Sequence, residues 1–203
     1  MRVSAAQKRI HKAALELFAE KGTAAVTVSD LAAAAGVVRG TIYKNLASPE
    51  RLFETIAAQL AEEMDQRIAS SCTGVDDPAT RLAIGVRLYV KRAHEEPHWG
   101  RFLVQFAMTN KSLREIWAGP PAQDLACGIE RRRYDVKPDQ VPAALAVIAG
   151  STLSAIVLVL DGQRTWRDAG SDVAALVLRS LGLDLTEATA LATAPLPDLA
   201  NDI

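Results

Sequence analysis

Cysteine is scarce in this chain of 203 residues, in which only Cys72 and Cys127 occur. Two cysteines are too few for a disulfide scaffold, and they lack the spacing of a metal site. We therefore predict no metal and no cofactor. The N-terminus also lacks the apolar stretch of a secretory signal, which favours a cytoplasmic location.

Aromatic residues make up only 5% of the chain, and this composition, with its abundant alanine and leucine, favours helix over sheet. No Ser, His and Asp set and no glycine-rich phosphate loop is recognisable, so an enzyme ranks far behind other functions. His94 to His98 matches H-E-x-x-H, the zinc-protease pattern, but that pattern requires one unbroken helix and Pro97 interrupts it. We predict that the two histidines belong to different helices.

Neither sign of charge dominates, because the net charge is −1. The whole protein therefore has no affinity for nucleic acid on charge alone. Residues 1 to 50, however, hold seven Lys or Arg against four Asp or Glu, a balance of +3 that leaves −4 for the remainder. A basic N-terminal part followed by an acidic remainder is typical of a DNA-binding protein with a separate regulatory domain.

Two short helices joined by a tight turn are predicted for residues 27 to 45, TVSDLAAAAGVVRGTIYKN. Thr27 and Asp30 have the spacing of a reciprocal helix cap, and Gly36 suits a left-handed helix end. Ile42 and Leu46 attach the second helix to a core, which turns its polar residues outward. The predicted DNA contacts, mostly phosphate-binding or base-reading types, are Thr27, Arg39, Gly40, Thr41, Tyr43, Lys44 and Asn45. A solvated helical hairpin would show the same short pattern.

The stretch from Ala13 to Phe53, AALELFAEKGTAAVTVSDLAAAAGVVRGTIYKNLASPERLF, resembles without gaps the N-terminal signature of the tetracycline-repressor (TetR) family of bacterial transcription regulators. The resemblance implies an all-α protein. Its parts are a three-helix helix-turn-helix DNA-binding domain, residues 1–47, and a helical bundle for ligand binding and dimerisation, residues 48–203. Two positions depart from the family: Val38 replaces the usual Ser or Thr cap of the recognition helix, and Pro49 replaces a phosphate-binding lysine.

The stretch Val141 to Leu160 contains twenty residues without a charge. That length is sufficient to span a bilayer, so a membrane protein is a further hypothesis. The stretch lacks basic or aromatic anchors at both ends, and a helix that is apolar all round is buried in a core or between subunits. Because one recognition helix reads one half-site, specificity requires a dimer. The predicted dimer contacts are Ala146, Gly150, Ala155 and Leu176.

Most aromatic residues of the body lie between Asp77 and Tyr134, where prolines and glycines break the helices. Any single one of them more often fills a core than contacts a ligand. The family resemblance nevertheless implies a pocket in this region, and the predicted ligand-binding residues are Tyr89, Trp99, Phe102, Phe106, Trp117 and Tyr134. The segment after Leu183, rich in Ala, Thr and Pro, has no pattern from which we predict order.

We predict a ligand-responsive transcription regulator that binds double-stranded operator DNA as a homodimer. Members of the family that it resembles are usually repressors. We therefore predict a repressor that a small apolar or aromatic molecule releases from a palindromic operator. An activator and a DNA-binding regulator that senses no ligand are alternatives. The sequence predicts neither a catalytic site nor contact with a membrane.

Overall fold

The structure, a computed structural model, describes residues 4–22, 26–45, 52–108 and 119–200. These residues form ten α-helices and a short 3₁₀ turn, without a strand among them, so the all-α prediction is confirmed. The helices are α1 (Ala5–Lys21), α2 (Val28–Ala34), α3 (Arg39–Asn45), α4 (Leu52–Ser71), α5 (Pro78–Glu95), α6 (Pro97–Phe106), α7 (Pro120–Glu130), α8 (Val141–Leu160), α9 (Trp166–Ser180) and α10 (Leu185–Thr193). The predicted boundary between residues 47 and 48 lies outside the described residues.

Helices α1, α2 and α3 pack on one another and form the N-terminal head. Helix α1 begins after Ser4, whose Oγ accepts a hydrogen bond from the Gln7 N–H at 3.1 Å. Helix α2 begins with the predicted reciprocal cap: the Asp30 N–H donates to Thr27 Oγ1 at 3.2 Å, and the Thr27 N–H donates to Asp30 Oδ2 at 3.0 Å. These caps satisfy backbone donors that a helix start leaves without partners.

Helix α5 lies at the centre of the body and contacts α6, α7, α8, α9 and α10. It begins with Asp77 as the cap and Pro78 as the first helical residue, a pair of residue types that favours a helix start. The Thr80 N–H donates to the Asp77 carboxylate at 3.0 Å. Burial acts to raise the pKa of Asp77, but hydrogen bonds from Arg133 and Thr80 outweigh it and hold the pKa at about 2.

The predicted break within the H-E-x-x-H stretch is present. Helix α5 ends at Glu95 and α6 begins at Pro97, because proline has no N–H to continue the hydrogen-bond ladder. His94 and His98 are exposed and lie on different helices, which confirms that prediction. Within the part of the chain that the structure describes, no group of three or more His, Cys, Asp or Glu could hold a metal ion.

Four phenylalanines join the head to the body. The ring of Phe18 in α1 packs edge-on against Phe53 in α4, with 5.1 Å between the ring centroids. The Phe53 ring in turn lies 5.5 Å from Phe102 and 4.9 Å from Phe106, both in α6. Aromatic pairs at these separations stabilise beyond the area that they bury. The N-terminal end of α4 is therefore held against both the head and α6.

The C-terminal part of the chain, for which the sequence predicted no order, forms α10 and then a strap, residues 194–200, that lies across α4 and α5. Arg67 Nε donates to the Ala200 carbonyl at 2.7 Å, and Arg87 Nη1 donates to the Ala194 carbonyl at 2.8 Å. The Ala200 N–H donates to Ser71 Oγ at 2.9 Å. The strap therefore ties the C-terminal half of α4 to α5.

Deleting residues 195–203 is expected to lower the melting temperature (Tm) by roughly 5–10 °C. The deletion exposes core surface that Leu196 and Leu199 cover, and it removes hydrogen bonds that contribute about 1 kcal/mol each. One kcal/mol shifts the Tm of a protein of this size by about 2–4 °C. Calorimetry measures the change. The control is Lys91→Ala, which leaves the strap in place and removes the ion pairs of Lys91 with Asp198 and Glu95 and its contact with the Trp166 ring. Ion pairs at the surface contribute little to stability, so the control should lower the Tm less than the deletion does. An unchanged Tm after the deletion would show that the strap contributes no stability.

Candidate DNA-binding surface and ligand cavity

Helix α3 presents most of its surface to solvent. Ile42 is fully buried and packs this helix against the core of the head, whereas Tyr43 is 55% exposed. The exposed residues of α3 are Arg39, Gly40, Tyr43 and Lys44. A helix held by one buried side chain leaves the rest of its face for a partner, and two of these residues are cations. The outward placement is as the sequence indicated, and the DNA contacts themselves stay predictions.

Three of the predicted DNA contacts also take part in hydrogen bonds within the head. Asn45 Nδ2 donates to the Thr41 carbonyl at 2.7 Å, and Ser4 Oγ donates to Asn45 Oδ1 at 3.3 Å. Thr27 Oγ1 donates to Asp30 Oδ2 at 2.7 Å, and this bond lowers the pKa of Asp30. The polar groups of Asn45 and Thr27 thus hold the head together. Arg39, Tyr43 and Lys44 have the more accessible side chains for DNA.

Helix α3 begins after Val38, a residue without a hydroxyl for capping and 74% exposed. Its backbone carbonyl accepts a hydrogen bond from the Thr41 N–H at 2.8 Å. A backbone group therefore takes the donor that a capping Ser or Thr side chain would take in other members of the family that the sequence resembles. Pro49, the other departure from that family, lies outside the described residues.

Replacing the missing cap should stabilise the head. We expect Val38→Thr to raise the free energy of unfolding by about 1 kcal/mol, because the hydroxyl can accept from an N–H of the first turn of α3 in addition to the Thr41 bond that the backbone carbonyl accepts. Thermal unfolding and hydrogen exchange of the α3 amides measure the effect. The matched control is Val38→Ala, which removes the same exposed apolar surface without adding a cap. If Thr and Ala give equal protection, capping is not what limits α3.

A small, partly enclosed cavity lies inside the body between α4, α5, α7 and α8. Its apolar wall includes Ile68, Leu82, Val86, Pro121 and Ile148. The volume of the cavity is about 20 Å³, which is room for about one water molecule. A ring-shaped ligand can therefore enter only if the surrounding helices separate.

The predicted ligand residues do not share this cavity. Tyr89 lines it, and Trp99 borders a separate cleft between α1, α4 and the junction of α5 with α6. The Tyr89 and Trp99 rings are in contact, with 5.8 Å between their centroids. Trp117 lies outside the described residues. Tyr89 is therefore the one predicted residue that the described structure places on the cavity wall.

The other predicted aromatic residues fill the core. Phe102 and Phe106 belong to the phenylalanine cluster at the junction of head and body. Tyr134 packs on Gly128, where its ring occupies the space that a Cβ would need. These three rings pack in the interior of the described structure, away from the cavity wall, and their contact with a ligand stays a prediction.

The polar groups on the cavity wall come from residues that sequence reasoning missed. Arg81 Nε and Asp124 Oδ1 form an ion pair at 2.6 Å. Burial raises the pKa of Asp124, with the Arg81 guanidinium acting against it. Asp65 in α4 also lines the cavity, and burial raises its pKa to about 7. The sequence carries no signal for this position, because a charged residue in an amphipathic helix ordinarily faces solvent.

One side of α8 is apolar and exposed. Val147 and Val157 are 44% and 36% exposed, Ala146 is exposed, and a Cβ at Gly150 would meet no atom within 4 Å. The helix is long and apolar enough to cross a membrane. Of its most apolar stretch of 18 residues, 33% is buried inside the protein. Such an exposed apolar surface marks an interaction site.

The neighbouring helix α9 adds a further exposed side chain, Leu176, at 60%. The exposure of Ala146 and Leu176, and the open space beside Gly150, are compatible with the predicted role of these residues in a dimer. Ala155 is fully buried in the core of its own subunit. It therefore does not lie on this face, and we correct it to a core residue.

Comparison with known proteins agrees with this architecture. Residues 10–56 match the family described as bacterial regulatory proteins, tetR family, and residues 77–194 match the tetracyclin repressor-like C-terminal domain. The structure of RolR in complex with resorcinol is 27% identical, with a TM-score of 0.71, over 96% of this chain and 96% of that chain.

More distant structures share the fold. FadR from Bacillus subtilis in complex with stearoyl-CoA is 21% identical, with a TM-score of 0.67, over 87% of this chain and 99% of that one. The ketosteroid transcriptional regulator KstR2 of Mycobacterium tuberculosis is 20% identical, with a TM-score of 0.62, over 90% and 98%. The first family match falls on the head and the start of α4, and the second falls on the body. The second match alone spans more than half of the chain. The chain therefore belongs to the tetR family of bacterial regulatory proteins and is a DNA-binding transcriptional regulator.

Proposed function

We propose that this protein is a cytoplasmic, homodimeric repressor that leaves a palindromic operator when a small apolar or aromatic molecule, the effector, enters the cavity between α4, α5, α7 and α8. The proposal joins three features of the molecule: the exposed face of α3, the apolar face of α8 and the cavity. Helix α4 connects the first and the third.

The observation that carries the proposal is that α4 touches both the head and the cavity. Phe53, near its N-terminal end, packs against Phe18 of the head, while Asp65 and Ile68 line the cavity. Phe53 and Asp65 are separated by about 18 Å along the helix. A helix moves as a rigid element, so a displacement at the cavity shifts the end that holds the head.

The size of the cavity supports a change of conformation on effector binding. Because it has room for about one water molecule, a ring compound cannot bind the closed form. An effector therefore binds a second conformation, in which α4 has moved away from α5 or α7. Because it binds this conformation more tightly than the closed one, it increases the fraction of the protein that adopts it. In the repressor, the shifted form would hold the two heads at a spacing that no longer fits successive major grooves.

Resorcinol is the first effector to test, because RolR, whose structure contains it, is 27% identical to this chain over nearly its whole length. The cavity here is bounded by Pro121, Ile148 and Leu82, and small ring compounds suit such an apolar wall. The long acyl chain of stearoyl-CoA would require a much larger opening.

The test begins with the operator. DNA fragments retained by the purified protein are sequenced, and affinity for the recovered site is measured by fluorescence anisotropy with and without resorcinol and related rings. We expect an inverted repeat and weaker binding in the presence of the effector. Because linkage is reciprocal, operator DNA should weaken effector binding by the same factor. Tighter DNA binding with effector would instead identify a regulator that the effector recruits to DNA.

A further inference from the structure

Asp65 is the unusual group of the cavity. It lies in α4, and none of the described residues forms a hydrogen bond with its buried Oδ1 atom. Most buried polar atoms in proteins are hydrogen-bonded, and each exception calls for an explanation. The carboxyl therefore keeps an acceptor available at the wall of a space that a ligand can enlarge.

The other charged groups of the cavity wall already have partners. Arg81 donates to Asp124 Oδ1 at 2.6 Å, and its Nη1 donates to the carbonyls of Val75 at 3.1 Å and Asp76 at 3.0 Å. The Asp65 Oδ1 atom, in contrast, is buried without a hydrogen-bond donor among the described residues, so it can accept from a ligand.

Thr152 is likewise engaged, because its Oγ1 donates to the Ile148 carbonyl within α8 at 2.7 Å. Tyr89 also lines the cavity, near enough to Asp65 for the carboxylate charge to act with burial in raising the pKa of the phenol. The cation on this wall, the Arg81 guanidinium, is held by Asp124. A ligand would thus meet the Asp65 carboxyl group in an apolar setting.

We infer that Asp65 is the polar anchor of the effector site and that the effector is a small, uncharged ring compound whose hydroxyl group donates a hydrogen bond to it. This rests on the proposed function, in which the cavity takes the effector. The hydroxyl gains a buried acceptor, and the Oδ1 atom gains a hydrogen-bond donor that the described residues do not supply in the closed form.

The same wall disfavours charged ligands. An anion would face the Asp65 and Asp124 carboxyls, and the Arg81 cation is already paired. A protonated amine would lose far more hydration than a hydroxyl group on entering an apolar cavity. A neutral hydroxyl donor satisfies Asp65 at the lowest desolvation cost.

Calorimetric titration of the full-length protein with four probes tests the inference. The probes are resorcinol, 1,3-dimethoxybenzene, benzoate and benzylamine, of which dimethoxybenzene has the ring of resorcinol without its hydroxyl donors. The protein variants are Asp65→Leu, Asp65→Asn and a control, Glu62→Leu, on the exposed side of the same helix. We expect resorcinol to bind the wild type and the control most tightly among the probes.

Loss of a hydrogen bond to a carboxyl group should weaken resorcinol binding to Asp65→Leu by roughly 10- to 100-fold. Asp65→Asn keeps an acceptor oxygen and should lose less. Dimethoxybenzene should bind the wild type and Asp65→Leu with similar affinity. Matched losses for both ring compounds in Asp65→Leu would mean that the substitution only damages the cavity, and would overturn the anchor.

Thermal unfolding supplies a readout that is independent of ligand. Removing a buried carboxyl without a hydrogen-bond donor at Oδ1 should raise the Tm of Asp65→Leu above that of the wild type. Because burial raises the pKa of Asp65 to about 7, the charged form is the destabilised one, so the gain should be larger at pH 8 than at pH 5. A Tm below that of the wild type at both pH values would assign Asp65 a structural role and overturn the inference.

The remaining outcomes separate the inference from the proposed function. Equal resorcinol binding by the wild type and Asp65→Leu, or tightest binding of benzoate or benzylamine, overturns the anchor and leaves the cavity as the effector site. If the protein binds its operator but none of the four ring compounds, the inference fails together with the proposal that a small ring compound releases the repressor.

Discussion

Alanine at Lys44 or Tyr43 is expected to abolish operator binding at concentrations at which the wild type binds fully, while the protein stays folded. Both side chains are exposed on α3, and the helix is held by Ile42, which neither substitution changes. Removing one base or phosphate interaction costs about 1–3 kcal/mol. Since a dimer carries each substitution twice, the total reaches about 2–6 kcal/mol, or roughly 30-fold to more than 10⁴-fold in affinity.

Fluorescence anisotropy over a range of salt concentrations separates the two roles. If Lys44 binds phosphate, Lys44→Ala should weaken binding to all sequences and lower the salt slope by about 1 for each phosphate that the protein no longer neutralises. Lys137→Ala, which removes an exposed cation from the body, serves as the charge-matched control and should leave affinity unchanged. Full operator binding by both α3 variants would mean that another surface reads the DNA.

Aspartate at Ala146 or Leu176 is expected to convert the proposed dimer to monomers or insoluble protein. Both positions are exposed on the apolar face formed by α8 and α9, with Leu176 at 60%. In a two-fold interface each substitution occurs twice, and a charge moved from water into an apolar contact costs several kcal/mol. Sedimentation velocity measures the mass of the product. The monomer should also lose operator affinity, because each head then reads a single half-site.

Leu185→Asp is the matched control for this experiment. Leu185 is 61% exposed at the start of α10, so the substitution introduces the same charge at an exposed apolar residue that belongs to neither α8 nor α9. Gly150→Asp adds a second test, because a Cβ there meets no atom of the described residues within 4 Å. Its effect therefore reports on the interface. A dimer of wild-type mass in the Ala146, Gly150 and Leu176 variants would exclude this face as the interface.

Local features of the chain were open to prediction from sequence. The cap formed by Thr27 and Asp30, the helix start at Asp77 and Pro78, and the break at Pro97 each depend on residues within a few positions of one another. Their hydrogen bonds and steric limits are set by neighbours along the chain, whatever the rest of the molecule does. The resemblance between Ala13 and Phe53 extended this local pattern to a family.

Tertiary packing determined which residues line the cavity. Asp65 lines the cavity because α4 packs beside α5, α7 and α8, and helical periodicity alone does not specify that arrangement. Phe102, Phe106 and Tyr134 were expected near a ligand, and they fill cores because their rings found partners that local sequence does not specify.

The α8 helix shows the same division between local pattern and packing. Its uncharged sequence predicted burial without saying which side meets its own subunit, so Ala155 was placed with Ala146 and Gly150. In the folded chain Ala155 is fully buried, whereas Ala146 is exposed. Periodicity reveals a helix and the width of its apolar face. Which part of that face is covered depends on contacts between elements far apart in the chain, and only the tertiary structure supplies them.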